Sequence, residues 1–225
     1  MLRTLTLFLL FPFIGFSQNQ KLLAHDYSFL VIDGGINKLH QSNDTLYELH
    51  CYIDQPCRSK PEKHSKIISS QQIKDFTILK LEQLDTIPFT TDPYPATRYS
   101  VGVFKDIDDK KLGYLNLISG LSKQQIDTVR IDTDSLNDMF FFTLYSDAYL
   151  KELSTLKKVT TKSQVLEIID TVKSNQFKLL AEKYRKTKTG DMYGSGFSAE
   201  ILNRACIEKG FNPIGAGRVI NKLMR

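Results

Sequence analysis

The chain of 225 residues has no tryptophan, three cysteines, 12 glycines and 7 prolines, and no repeat runs through it. The missing tryptophan decides nothing. So little glycine without a period excludes collagen-like, low-complexity and repeat architectures. Charge of one sign is also scarce: the formal net charge is +5, and 41% of residues are hydrophobic, which together exclude a wholly disordered chain. Beyond residue 17 no run approaches eighteen apolar residues, the length a membrane-crossing helix needs. Met139 to Tyr145 (MFFFTLY) is the most apolar later stretch, and its length suits a buried strand or a buried helical segment equally.

The one uncharged run of note lies at the start. Arg3 precedes Thr4 to Phe16, and Gly15 and Ser17 stand as small residues before the polar Gln18-Asn19-Gln20. A positive start, a short apolar centre and a small-x-small site are the marks of a secretory signal peptide, with cleavage expected near Ser17. A membrane anchor is the rival. Thirteen helical residues span only about 20 Å against a hydrocarbon core of about 30 Å, and Pro12 interrupts such a helix. The expected mature chain is therefore secreted or periplasmic and has no transmembrane span.

That placement bears on Cys51, Cys57 and Cys206. Two thiols six residues apart in an oxidising compartment are a disulfide candidate that would clamp the turn through Pro56. Two free thiols remain an alternative, as does a metal site using His50, Cys51, Cys57 and His64. Its spacing matches no familiar zinc pattern, and neighbours on a strand point apart. Cys206, on a predicted helix, reads as a small buried hydrophobe.

Charge divides the remainder. Residues 18–150 carry 14 Lys/Arg and 18 Asp/Glu, a net of −4, whereas residues 151–225 carry 15 and 7, a net of +8. The pattern changes at the same place. Residues 18–150 read mostly as short strands joined by polar turns: 27–32, 45–53, 75–84, 98–104, 112–118 and 127–133. On 45–53 the better core face is Thr45, Tyr47, Leu49, Cys51 and Ile53. The segment 105–111 reads as the charged tip of a hairpin. Residues 151–225 read as helices. Thr161 to Gln164 fits a capping box before a Val165, Ile168, Ile169, Val172 stripe, with a break near Ser174-Asn175. Lys186 to Ser198 reads as a loop, Ser198 as the cap of a helix ending before Gly210, and Asn212-Pro213 as the start of a last helix reaching Leu223. The fold class is α+β: an antiparallel sheet module at 18–150 followed by a basic helical module at 151–225, packed on it or forming a small second domain.

Chemical motifs are few. Tyr193-Gly194-Ser195-Gly196 lacks the first glycine of a nucleophile elbow, and Gly215-Ala216-Gly217 follows no strand. Asp106, Asp108 and Asp109, like Asp132, Asp134 and Asp138, lack the glycine and distal glutamate of a calcium loop. His25, His40, His50 and His64 form no ligand spacing. No catalytic residue, metal ligand or cofactor is selected. Glu208 to Gly215 resembles the glycine spacing of SAP-type DNA-binding hairpins, and Ile214 to Gly217 resembles the turn of helix-hairpin-helix modules. Each resemblance covers about a dozen residues, no function is carried across from either, and export argues against a nucleic-acid partner.

The remaining signal is basic. Lys178, Lys183, Arg185, Lys186 and Lys188 crowd the end of a predicted helix, where cations favour the dipole and can also form a patch for an anion. The expected function is non-catalytic recognition outside the cytoplasm, of a protein such as a toxin or of an anionic envelope component. The alternative is an envelope hydrolase using Asp/Glu acid–base chemistry, which expects a cleft between the modules holding two carboxyls with displaced pKa values.

Overall fold

The computed structural model describes residues 21–32, 34–52, 63–84, 98–187 and 194–224. The expected leader, Cys57 and Lys188 lie outside them. Eight antiparallel strands form a closed barrel: β1 (Tyr27–Leu30), β2 (Gly35–Ser42), β3 (Thr45–Tyr52), β4 (Lys63–Ile73), β5 (Phe76–Gln83), β6 (Tyr99–Asp108), β7 (Lys111–Leu121) and β8 (Phe142–Ser146). Each strand pairs with its sequence neighbours, and β8 returns to β1. Short helices α1 (Lys123–Thr128) and α2 (Thr133–Leu136) fill the β7–β8 connection, and α3 (Asp147–Ser154), α4 (Lys162–Val172), α5 (Asn175–Thr187), α6 (Gly194–Glu208) and α7 (Ala216–Leu223) follow the barrel. The α+β organisation expected above is the observed one. No helix among the described residues is long and apolar enough to cross a membrane.

Alternation decides what each strand contributes. Leu39, Leu46, Leu79, Leu81, Phe104, Leu112 and Leu144 form one buried cluster with Tyr27. The opposite positions of β5 and β6, Phe76, Ile78, Tyr99, Val101 and Val103, are buried under Ile126 of α1 and Leu136 of α2. This corrects two expectations. On β3 the buried leucine is Leu46, whereas Tyr47 lies beside His64 at 5.1 Å between ring centroids. A closed barrel needs apolar residues on its inner surface, and Thr45, Tyr47 and Leu49 lie half-buried on the other side of the strand, where Cys51 of the expected face is buried and Ile53 lies outside the described residues. Residues 127–133 are not a strand. Ser122 and Gln125 close a capping box, the helix it starts runs to Thr128, and Asp132 caps the next by accepting from the Asp134 N–H. The alternating Val129 and Ile131 pack against the barrel wall without pairing.

The hairpin expected around residues 105–111 is β6–β7, but its strands run through the charges to a two-residue turn at Asp109-Lys110. Residues 63–73, which carry no strand signal in their polar composition, form β4. Met139 to Tyr145 resolves as strand from Phe142 onward.

The helices repeat the local logic. Thr161 and Gln164 form the capping box of α4, and Val165 and Ile168 on its stripe are fully buried, each contributing roughly 1.5–3 kcal/mol of apolar burial. The α4 and α5 helices part at Ser174, as expected. Helix α6 starts at Gly194, four residues before the cap expected at Ser198. It ends in a Schellman motif: Phe211 N–H donates to Cys206 O at 2.8 Å and Gly210 N–H to Ile207 O at 3.0 Å, with Gly210 at φ +71. Asn212 accepts from Ile214 N–H, but the last helix begins only at Ala216. A turn closed by Ala216 N–H to Pro213 O intervenes.

Two contacts tie helices to barrel at its β1 end. Lys38 on β2 bridges Asp26 at 3.1 Å and Asp147 of α3 at 2.8 Å. Burial opposes ionisation of Asp26, but hydrogen bonds from His40 and Lys38 outweigh it and hold the carboxyl below its usual range. Helix α7 approaches the β1–β2 turn so closely that a Cβ on Gly217 would stand 2.2 Å from Ile32 O. On Gly196 of α6 a Cβ would meet only the Phe142 ring at 3.7 Å. The two glycines therefore respond oppositely. In thermal unfolding, Gly217→Ala is expected to lose about 1–3 kcal/mol through overpacking. Gly196→Ala is expected to gain up to about 1 kcal/mol from helix propensity.

Candidate functional site

The barrel closes unevenly. Between β1 and β8 only Tyr27↔Ser146 and Ser28↔Tyr145 are in register. The Ser146 N–H donates to Lys110 O, at the turn before β7, and the Val31 N–H to Gly35 O by the β2 side, so by alternation Leu30 and Thr143 turn their peptide groups toward each other's strand. They would form the next mutually bonded pair. Helix α6 occupies that place. Glu200 Oε1 accepts from Thr143 N–H at 3.2 Å, and Asn203 Nδ2 donates to Leu30 O at 2.9 Å. Arg204 adds Nη2–H bonds to Phe141 O at 3.2 Å and Thr143 Oγ1 at 3.0 Å, and its Nε–H donates to Glu200 Oε1 at 2.6 Å. One face of α6 thus replaces a missing rung of the barrel, while Ile201, Ala205 and Cys206 bury its other face with α4 and α7 residues.

The rung is electrostatically costly. Glu200 is fully buried, and its Oε2 has no hydrogen-bond partner among the described residues. Burial pushes the Glu200 carboxyl up from its ordinary value, more than the Arg204 charge and the Thr143 and Arg204 hydrogen bonds pull it down. Burial also raises the Tyr145 hydroxyl, with Glu200 adding to the effect, and pushes the Cys206 thiol up to about 12, consistent with an inert core thiol.

Aromatic rings hold the neighbouring α5 in place. Tyr184 stacks on Phe197 of α6 at 4.2 Å between centroids, Phe140 meets Tyr184 edge-on at 5.8 Å, and the Arg204 guanidinium lies 5.5 Å from the Phe140 centroid. Beside this cluster a cavity of about 330 Å³ opens between α5 and α6, lined by Gln176, Phe177, Leu179, Leu180, Arg204 and Glu208.

Of the basic residues selected from the sequence, none within the described residues lines this cavity. Lys178, Lys183, Arg185 and Lys186 all lie on α5. Helical spacing sets Lys183 on the flank of Gln176 and Leu179, with Lys186 next to it, while Lys178 and Arg185 lie nearly half a turn away with Glu182 between them in sequence. Both Arg185 and Lys186 stand in the last turn, where the dipole favours them. Cys51 is buried on β3, opposite Ile36, and its expected partner Cys57 lies outside the described residues. His40 Nδ1–H donates to Asp26 Oδ1 at 2.7 Å, and Asp108 is held by Lys110 N–H and Lys111 Nζ. Burial raises the Asp108 pKa, but those lysine contacts prevail and leave it lowered. Among the described residues no three His, Cys, Asp or Glu side chains gather into a metal-binding group. Between barrel and helices the described residues bring in one carboxyl displaced upward, Glu200.

Sequence reasoning passed over Glu200, Asn203 and Arg204. A signal was present: these three positions share an i, i+3, i+4 stripe, polar where the opposite stripe of the same helix is apolar. No protein-family model, curated protein or solved structure matches the chain.

A raised pKa means that folding favours the protonated acid, so the Glu200 contribution is complete below its unfolded value and is lost as pH rises through the folded one. Glu200→Gln, which mimics the neutral acid, is expected to gain stability relative to the parent as pH climbs above about 4.5. Denaturant melts of both proteins across pH measure this, and parallel curves would refute it. Glu200→Ala, which strands the Thr143 N–H, is expected to lose about 2 kcal/mol or more at any pH.

Proposed function

We propose that the protein is an exported, non-catalytic binding protein whose helical module recognises an anionic partner, either an acidic protein or an anionic component of the cell envelope. The observation that carries this reading is the charge of the helical segment, a net of +8 over residues 151–225, with Lys183 and Lys186 set by helical spacing on the flank of α5 that also carries Gln176 and Leu179. Opposite charge at this density accelerates encounter and favours capture, and salt screens both over about 8–10 Å. The carboxyl at the barrel seam supports the same reading indirectly, since it is committed to backbone of the fold. In an oxidising compartment a Cys51–Cys57 bridge completes the proposal by clamping the end of β3.

Two double variants test it. Lys183→Ser with Lys186→Ser is expected to weaken capture of fluorescent polyglutamate, or of phosphatidylglycerol vesicles, several-fold and to flatten its salt dependence. Lys178→Ser with Arg185→Ser, on the other flank, is expected to change either far less. Equal effects of the two pairs would leave only unspecific charge, and no effect of either would reject the reading. For the bridge, thiol alkylation of the exported protein is expected to label Cys51 and Cys57 only after reduction.

A further inference from the structure

The cavity between α5 and α6 combines an apolar wall with one fixed cation. Phe177 and Leu180 supply apolar surface within it, and Leu179 at its edge is 60% exposed, far more than a leucine on an ordinary helix–helix contact. Arg204 supplies the charge. Its Nε and Nη2 are taken by Glu200, Thr143 and Phe141, which fix the guanidinium plane, while Nη1 makes no hydrogen bond within the described protein. The guanidinium is therefore oriented in advance, with donors left over, at the side of a cavity of about 330 Å³, within the size range of small-molecule sites.

We propose that this cavity binds a small apolar carboxylate, its head group on Arg204 Nη1 and its hydrocarbon body against Phe177, Leu179 and Leu180. The reading above is deepened by this and is its starting point, because it places recognition on the helical module. Three features select the ligand. Arg204 spends only part of its donor set on the protein, and a carboxylate accepts the remainder in a charge-assisted bond. Glu200 engages only the Nε side of the guanidinium, through Oε1 at 2.6 Å, and so leaves Nη1 to another acceptor. Glu208, the lining carboxylate, is engaged by the Gln176 amide; its negative charge disfavours a dianion such as a phosphate monoester and leaves a monoanion as the fitting head group.

Calorimetric titration of the full chain with octanoate, below its micellar range, and with 1-octanol tests this. Octanoate is expected to bind saturably at one site, at least about tenfold more tightly than the alcohol of equal length. Arg204→Gln is expected to remove that preference. Because Arg204 also braces the barrel seam, Leu179→Asp serves as the second variant. Its site is exposed, so folding is kept, while an anion at the cavity edge is expected to weaken octanoate at least about tenfold. Octanoate binding no tighter than octanol, or unaltered by Leu179→Asp, overturns the proposal. Polyglutamate capture run in parallel separates the two claims. If capture depends on Lys183 and Lys186 while octanoate fails, only the cavity assignment falls; if octanoate behaves as stated while capture fails, only the charge-patch reading falls.

Discussion

One rung of backbone hydrogen bonding is missing from the barrel, and a helix supplies it. The β1–β8 closure stops after two residue pairs, and α6 takes the donor and the acceptor of one bond that Leu30 and Thr143 would have exchanged, Glu200 the Thr143 N–H and Asn203 the Leu30 carbonyl. Buried peptide groups without partners cost about as much as lost hydrogen bonds, so the cylinder needs the helix to finish it. The two parts of the chain are for this reason joined by more than apolar contact.

The same constraint orders the outer surface. The Thr143 N–H is held by an acceptor oxygen in the barrel wall, here that of the Glu200 carboxyl, and a carboxyl buried there is made more tolerable by the neighbouring Arg204. Arg204 reaches past Phe140 to the aromatic stack that fixes α5, and there it borders solvent. A residue present for closure is in this way delivered, rigid and partly unsatisfied, to the side of a cavity. Lys183 and Lys186 stand along the same flank of α5. The local charge there is thus a product of the packing as much as of the composition.

How much of this was legible in the sequence depends on the kind of signal. Capping at Thr161, the Val165–Ile168 stripe and the Gly210 stop are local, and they fold as read, since each is decided by a few neighbouring side chains. Short strands rich in β-branched or aromatic residues, such as β1, β6 and β7, were likewise legible. The failures are all non-local. The polar strand β4 exists because β3 and β5 flank it. Val129 and Ile131 alternate because they cross a barrel wall, and the inward side of β3 follows from closure into a cylinder. Glu200 and Asn203 belong to the same group: their partners, Thr143 and Leu30, lie 57 and 173 residues away in sequence. Of the basic residues, sequence could cluster them, but only helical geometry splits Lys183 and Lys186 from Lys178 and Arg185.

The dependence of barrel closure on α6 is tested most directly by amide hydrogen exchange at Thr143. In the parent protein this amide is expected to exchange only on global unfolding, at the rate of core amides such as that of Leu79 on β5. In Glu200→Ala, studied under conditions where it remains folded, the Thr143 amide is expected to exchange faster by orders of magnitude while Leu79 stays protected relative to it. Thr143 protection that survives the loss of the Glu200 carboxyl would contradict the account, because the strand would then be closed by something other than the helix.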